Sequence, residues 1–245
     1  MGIEAPIECF GVFPPNTNPK KDTILHGRGA LDTAIDNYLS MKDQPEDAEI
    51  ETERLIGLGY LSRVPKPALD AIVGNKGKPA RLALIVKEKA DGSRKRRVIV
   101  DHKRNGGNDR ATVPERPVLP RVIDAIMMLI VLMRTALAAQ IKMTLVAMDF
   151  SDAYFHFLVR PSEWKYCLAA HVRAGVFLLW ANLPFGLRSA PLLWSRFAAW
   201  LGRMLAAIIP AGMGSVQVYM DDPLFVLIGP AERRVLVKSC LLHFL

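Results

Sequence analysis

The stretch VQVYMDDPLFVLIG, residues 216–229, decides how this sequence is read. Its two apolar runs, VQVY and PLFVLIG, have the composition of strands, and two adjacent aspartates, Asp221 and Asp222, stand between them. The segment therefore predicts a β-hairpin that carries an acid pair. Two carboxylates side by side raise each other's pKa and resist desolvation, so such a pair calls for solvent or for a divalent cation. A solvent-exposed two-residue Asp turn is the plain alternative.

A second acid-terminated strand lies upstream. MTLVAMDF, residues 143–150, reads as a buried strand that delivers Asp149, and Asp152 follows three residues later. Asp149 and Asp221 would meet at one sheet edge if their strands were neighbours. Carboxylates so placed suit magnesium, which takes oxygen ligands and is held by one or two carboxylates together with substrate phosphates. Tyr154 stands five residues beyond Asp149, an odd number that would put the two on opposite faces of a straight strand, so bringing them to one side requires a turn after Phe150. Ser151 and Asp152 favour one by bonding nearby backbone groups.

Further out, a helix is expected from Pro45 to about Leu58, with acids in its first turn and Gly57 or Gly59 at its end. RLALIVKEK (81–89), ADGS (90–93) and RRVIVD (96–101) read as a hairpin bearing Lys87, Lys89, Arg94, Lys95, Arg96 and Arg97. A solvated charged edge and a phosphate-binding surface are both open for it. Strands are expected at 165–170 and 175–181. A helix fits 189–209, with Pro191 in its first turn and Pro210 past its end, and a short helix closes the chain.

The apolar segment Val122–Gln140 is long enough to span a bilayer, but Asp124 and Arg134 lie within it, each costing about 2.5–3.5 kcal/mol near a span centre. A buried core helix is the expectation. Across 245 residues, 51% hydrophobic content argues for a folded chain, and 32 Lys and Arg against 24 Asp and Glu favour a polyanionic partner. Cys9, Cys167 and Cys240 have neither disulfide-framework nor zinc-ligand spacing. With no secretory signal in the first residues, the expected location is intracellular, cytoplasmic or nuclear, and not secreted.

YMDD at 219–222, DFSDAYF at 149–155 and LPFGLRSAP at 183–191 together resemble the palm motifs of reverse transcriptases. The resemblance continues through RRVIVDHKRNGGN (96–108) and RPVLPRVIDAI (116–126) and covers about residues 50–240. It is nearest to LTR-type and tyrosine-recombinase-type retroelements. It implies an α+β, right-hand polymerase fold with an antiparallel palm sheet backed by helices. Residues 1–45 would be a loosely ordered lead-in, 46–142 the fingers and connecting helix, and 143–245 the palm. The family places its thumb and RNase H domain after the point where this sequence stops, so the thumb is expected to be absent or truncated.

The resemblance also implies roles. Asp149, Asp221 and Asp222 match the catalytic carboxylates, which with the carbonyl of Phe150 would bind two magnesium ions, or manganese. Asp152 and Ala153 match positions beside the incoming triphosphate, and Tyr154 the ring that excludes a 2′-hydroxyl. Arg97 matches the fingers arginine on the triphosphate; Lys89 matches its lysine partner, with Lys87 competing. Phe185 and Gly186 match the motif facing nucleotide and template, and Tyr219 and Met220 would lie beneath the primer terminus. The implied partners are an RNA or DNA template with its primer and deoxynucleoside triphosphates, with no membrane. The implied activity is RNA-directed DNA synthesis. A remnant that keeps the fold and nucleic-acid binding without polymerising is the alternative. Pro223, directly after the acid pair, departs from the family pattern and is expected at an edge or turn.

Overall fold

Each strand-like run singled out above finds a partner, and the partners fall into two groups. The computed structural model describes residues 11–17, 36–73, 78–171, 173 and 175–244. Two compact units emerge among the described residues: one built from Thr17–Pro114 and Tyr154–Ala190, the other from residues 11–16, Glu115–Ala153 and Pro191–Leu245. The architecture is α+β with antiparallel sheets. The units interleave along the chain, whereas the sequence reading divides it into contiguous pieces at 142/143.

In the first unit, α1 (Leu39–Asp43) and α2 (Pro45–Gly57) lead into β1 (Leu61–Pro65) and α3 (Lys66–Val73). A hairpin follows, β2 (Arg81–Glu88) with β3 (Arg94–Asp101), then one turn of helix, α4 (Gly107–Arg110). β5 (Leu168–Ala170) and β6 (Val176–Trp180) complete a sheet of order β1-β6-β5. α2 begins on Pro45, whose missing N–H costs nothing in a first turn, and the chain leaves it through Gly59 at φ 75°. Asp47 in that first turn is buried and accepts from Arg96 Nε at 2.6 Å and Arg94 Nη1 at 3.0 Å. The acid read as a helix-start signal thus also fastens α2 to the hairpin.

The second unit holds a sheet of order β4-β8-β7, from β4 (Lys142–Ala147), β7 (Gly214–Tyr219) and β8 (Asp222–Gly229). On one side, Phe225 and Leu227 of β8 pack with Leu201 and Leu205 of α6 (Ala190–Ile208) and with Val237 and Leu241 of α7 (Ala231–Phe244). Val146, Met148 and Phe150 join the same cluster, so alternate residues along the chain face this core. Helix α5 (Val122–Ala138) touches all three strands.

Parts of the expected lead-in are pinned. Buried Glu115 accepts from Gly11 N at 2.7 Å, Val12 N at 3.3 Å and Arg196 Nε at 3.0 Å, which holds the 11–16 segment in the second unit. Residues 37–43 join the first unit: the Asn37 side chain accepts from Leu82 N at 2.8 Å and donates to Ala170 O at 3.0 Å, and α1 follows. Residues 1–10 and 18–35, the rest of that lead-in, lie outside the described residues.

Two elements depart from expectation. The strand expected at 165–170 begins only at Leu168, because Pro161–Tyr166 winds into a 3₁₀ turn that starts on Pro161. More consequentially, α5 is not a buried core helix: Ala136 is its one buried residue, while Val131 is 57% and Leu137 70% exposed. Among the described residues no helix is long and apolar enough to cross a membrane. Leu137→Gln should therefore change the urea midpoint by no more than about 0.5 kcal/mol of stability. Ala136→Leu should cost about 1–3 kcal/mol by overpacking. Equal costs would mean the exposed face of α5 is packed in solution.

Candidate active site

The carboxylates gather at one end of the β4-β8-β7 sheet. Beyond β4 the chain keeps bonding to its neighbour, Met148 N–H donating to Pro223 O at 3.1 Å and Phe150 N–H to Asp221 O at 2.8 Å. Asp149 sits between these two bonds, so its backbone is fixed beside the β7–β8 turn. Tyr219 pairs with Asp222 across that turn, leaving Met220 and Asp221 as its two central residues. The sheet thus brings together Asp149, Asp221 and Asp222, with the first and last exposed and Asp221 half-buried.

Pro223 is buried in the central strand rather than at an edge or turn. It accepts from Met148 N–H and has no N–H to return, so that rung of the ladder keeps one bond. Its place at the second residue of β8 limits the loss to the strand's end.

The turn is strained and buttressed. Met220 adopts φ 53°, a left-handed conformation that costs a non-glycine residue roughly 1–2 kcal/mol. From α6, Trp194 Nε1 donates to Met220 O at 2.8 Å, and Ser195 Oγ lies 3.7 Å from Met220 Sδ. The Trp194 ring also meets the Phe150 ring edge-on, centroids 5.6 Å apart. One buried indole therefore braces both chain segments that carry the acids. Sequence reasoning missed Trp194 and Ser195; the available signal was that a buried Trp needs an acceptor for its N–H. Tyr219, by contrast, is exposed at the end of β7.

After Phe150 the chain turns as expected. Asp152 takes φ 54°, and Ala153–His156 forms a 3₁₀ turn, with Ala153 buried. Within the first unit, the ring of Tyr154 lies 5.1 Å from that of Phe185, so two of the expected site residues do meet. Gly186 follows at φ 109°, where a Cβ would stand 2.1 Å from Val100 O. Asn108, another residue the sequence reading passed over, holds this loop by donating to Gly186 O at 2.9 Å and accepting from Arg188 N at 2.8 Å.

Beside Gly186 opens a cleft of about 320 Å³, lined also by Tyr38, Ile99, Asp101, His102 and Lys103. The Tyr38 hydroxyl donates to Asp101 Oδ2 at 2.5 Å, and Arg81 covers the Tyr38 ring at 4.4 Å. Burial pushes the Asp101 carboxyl up, but the Tyr38 hydroxyl and the N–H groups of Arg104 and Lys103 outweigh it and hold it below the usual range. Burial also lowers His102 to about 4, so its imidazole is neutral at pH 7.

The β2–β3 hairpin sorts its cations by face. Val86 pairs with Arg96 and Glu88 with Arg94, and this side packs toward α2, where Asp47 neutralises both arginines. Ile85 pairs with Arg97 and Lys87 with Lys95, on the opposite side. Lys89 and Arg97, the expected phosphate-binding pair, are exposed and form no ion pair among the described residues.

Partial burial, followed by the charges of Asp221 and Asp149, pushes the Asp222 carboxyl above its usual range. Massed negative charge with oxygen-only donors is the chemistry of a hard divalent cation. Among the described residues no three His, Cys, Asp or Glu side chains stand close enough to form a cation cage by themselves. A cation at this edge would thus need further oxygens, from main chain or substrate. No protein-family model matches the sequence, and no curated protein matches it.

Two substitutions test this geometry. Because Asp222 prefers its proton in the folded state, ionising it opposes folding; Asp222→Asn should raise stability at pH 7 by up to about 0.5 kcal/mol, kept small by exposure. The gain should vanish as pH falls below the unfolded carboxyl value of about 3.9, which denaturation at pH 7 and pH 3 would reveal. Gly186→Ala forces a left-handed φ and a backbone clash together. It should cost more than about 4 kcal/mol or prevent folding, and a stable variant would refute the close approach.

Proposed function

We propose that this chain is the fingers-and-palm part of a reverse transcriptase-like, right-hand polymerase, which adds deoxynucleotides to a primer 3′ end on an RNA or DNA template. The observation that carries the reading is the Phe150–Asp221 backbone bond, which sets Asp149 beside the Asp221–Asp222 pair at one sheet end. The ordered motifs YMDD, DFSDAYF and LPFGLRSAP support it.

In this reading Asp149, Asp221 and Asp222, with the Phe150 carbonyl, would hold two magnesium ions, or manganese. When bound, such ions would supply Lewis acidity to the phosphoryl transfer. The chain's own residues do the rest by positioning. Arg97 and Lys89 neutralise the triphosphate, and backbone N–H groups of Asp152 and Ala153 donate to its oxygens. Tyr154, whose ring lies 5.1 Å from that of Phe185, would take the place under the sugar and exclude a 2′-hydroxyl. Gly186, whose missing side chain admits the Val100 carbonyl, fixes the loop that carries Phe185 toward nucleotide and template, and Tyr219 and Met220 support the primer end. A remnant without activity is the second reading, favoured by Pro223, whose missing N–H weakens the ladder next to the acids.

Primer extension with magnesium, by the chain fused to a thumb domain, distinguishes the two. Asp149→Asn and Asp221→Asn should each lower incorporation by at least about 10²-fold and abolish manganese binding measured by electron paramagnetic resonance, with the thermal midpoint preserved. Tyr154→Ala should raise ribonucleotide use relative to deoxynucleotide about tenfold or more. Manganese binding unchanged in both aspartate variants would sink the metal assignment. A wild-type chain that binds the ion but incorporates nothing would favour the remnant.

A further inference from the structure

Helix α5 carries two apolar stripes, and the fold uses one of them. Ala136 is buried and Ala125, Leu129 and Leu132 are half-buried, at spacings of 4, 3 and 4 residues that put them on one side of the helix. That side accounts for the contact of α5 with the sheet of its own unit. A second stripe, Ile123, Ile126, Ile130, Met133 and Leu137, runs at spacings of 3, 4, 3 and 4. At about 3.6 residues per turn it is rotated by about 110° from the first. Ile123 is 50%, Ile126 42% and Met133 45% exposed, Leu137 more so, and Ile130 is half-buried. Neither charged residue of α5, Asp124 or Arg134, belongs to it. Monomers rarely leave contiguous apolar patches above a few hundred Å² in water, so an uncharged stripe of this length marks a docking surface.

We propose that the second stripe is a self-association seam, on which α5 of a second copy of this chain packs about a two-fold axis. Its mean spacing of 3.5 residues is the repeat that keeps one helix facing another, with side chains of each entering gaps of its partner. From Ile123 to Leu137 the seam is about 21 Å long. A two-fold axis uses the same patch on both subunits, so a single seam on each chain completes the contact and offers nothing to a third copy. With its exposed neighbours Val122 and Met127, the seam presents roughly 600 Å² of apolar surface, so two copies bury about 1,200 Å², the lower end of stable interfaces. The formal charge of +8 on each chain opposes the encounter. The result is a dimer with a dissociation constant on the order of 10 µM. It is formed by the second unit and stands apart from the polymerase reading.

Sedimentation equilibrium of the whole chain between about 1 and about 100 µM reads the association. The wild type should pass from monomer to dimer across that range. Ile126→Glu and Met133→Glu each place two carboxylates in the seam, one per copy. Either should weaken the dimer at least about 100-fold, with the circular dichroism spectrum unchanged. Val131→Glu, at a position as exposed but on another side of α5, should change it less than about threefold. Leu137→Gln adds no charge and should weaken it about tenfold, while the urea midpoint of the monomer, measured below about 1 µM, changes little. Raising salt from about 0.1 to about 0.5 M should tighten the dimer by screening the charge of +8 on each copy, the opposite of its effect on chains bridged by nucleic acid. A chain that stays monomeric throughout, an equal loss in Val131→Glu, or a dimer that dissociates with added salt would each overturn the seam. So would a monomer that floats with phosphatidylcholine and phosphatidylserine vesicles and loses them on Ile126→Glu, since the stripe would then face lipid.

Discussion

A single backbone bond, Phe150 N–H to Asp221 O at 2.8 Å, sets the position on which the rest of the acidic edge depends. Asp149 stands one residue before the donor and Asp222 one residue after the acceptor, so the main chain fixes all three acids before any side-chain rotamer is chosen. Like charges held this close repel one another, adding to partial burial in raising the Asp222 carboxyl, and such repulsion would splay two loose segments apart. The ladder between β4 and β8 prevents that. Six residues of β4, from Lys142 to Ala147, pair with β8 before the acids are reached, and Met148 adds a further rung. The strands therefore serve as the rigid support that a site of like charges needs.

The turn itself works against its own geometry. Met220 in a left-handed conformation would relax in isolation, and what holds it lies outside the hairpin, in the indole N–H of Trp194. Trp194 is in turn fixed by its neighbours: its ring lies 5.4 Å from that of Phe197 and 5.6 Å from that of Phe150. Strain at the acid-bearing turn and packing in α6 are thus one system. A change in the helix would be felt at Met220 without touching a carboxylate.

Local patterns in the sequence carried a good part of this. The acid-bearing hairpin, the β2–β3 hairpin and helices α2 and α6 each announce themselves through periodicity, a terminal proline or a turn, and these signals reside within the element. The turn after Phe150 was legible for the same reason, since Ser151 and Asp152 are local turn formers. What the sequence could not supply were partners chosen by tertiary structure. Asp47 reads as a helix-start acid, and nothing near it in sequence reveals that Arg94 and Arg96 lie against it. Asn108 and Trp194 are likewise long-range: their bonds reach 78 and 26 positions along the chain. The division of the chain into interleaved units is invisible to any reading that proceeds residue by residue.

Helix α5 marks the limit of composition as a guide. Its residues VIDAIMMLIVLMRTALA are more apolar than those of α2 or α7, yet it buries one residue where α2 buries five. Apolar content says that a segment can be buried, and leaves open whether the fold offers a surface to bury it. Here one helix meets the strands β4, β8 and β7 of a single sheet, and one sheet face cannot cover a cylinder apolar on all sides. The β2–β3 hairpin is the converse case. Its composition is a run of cations, and only the register separates those paired with Asp47 from those left facing solvent. In both elements composition sets what a residue can do, and the geometry of its neighbours decides which residues do it.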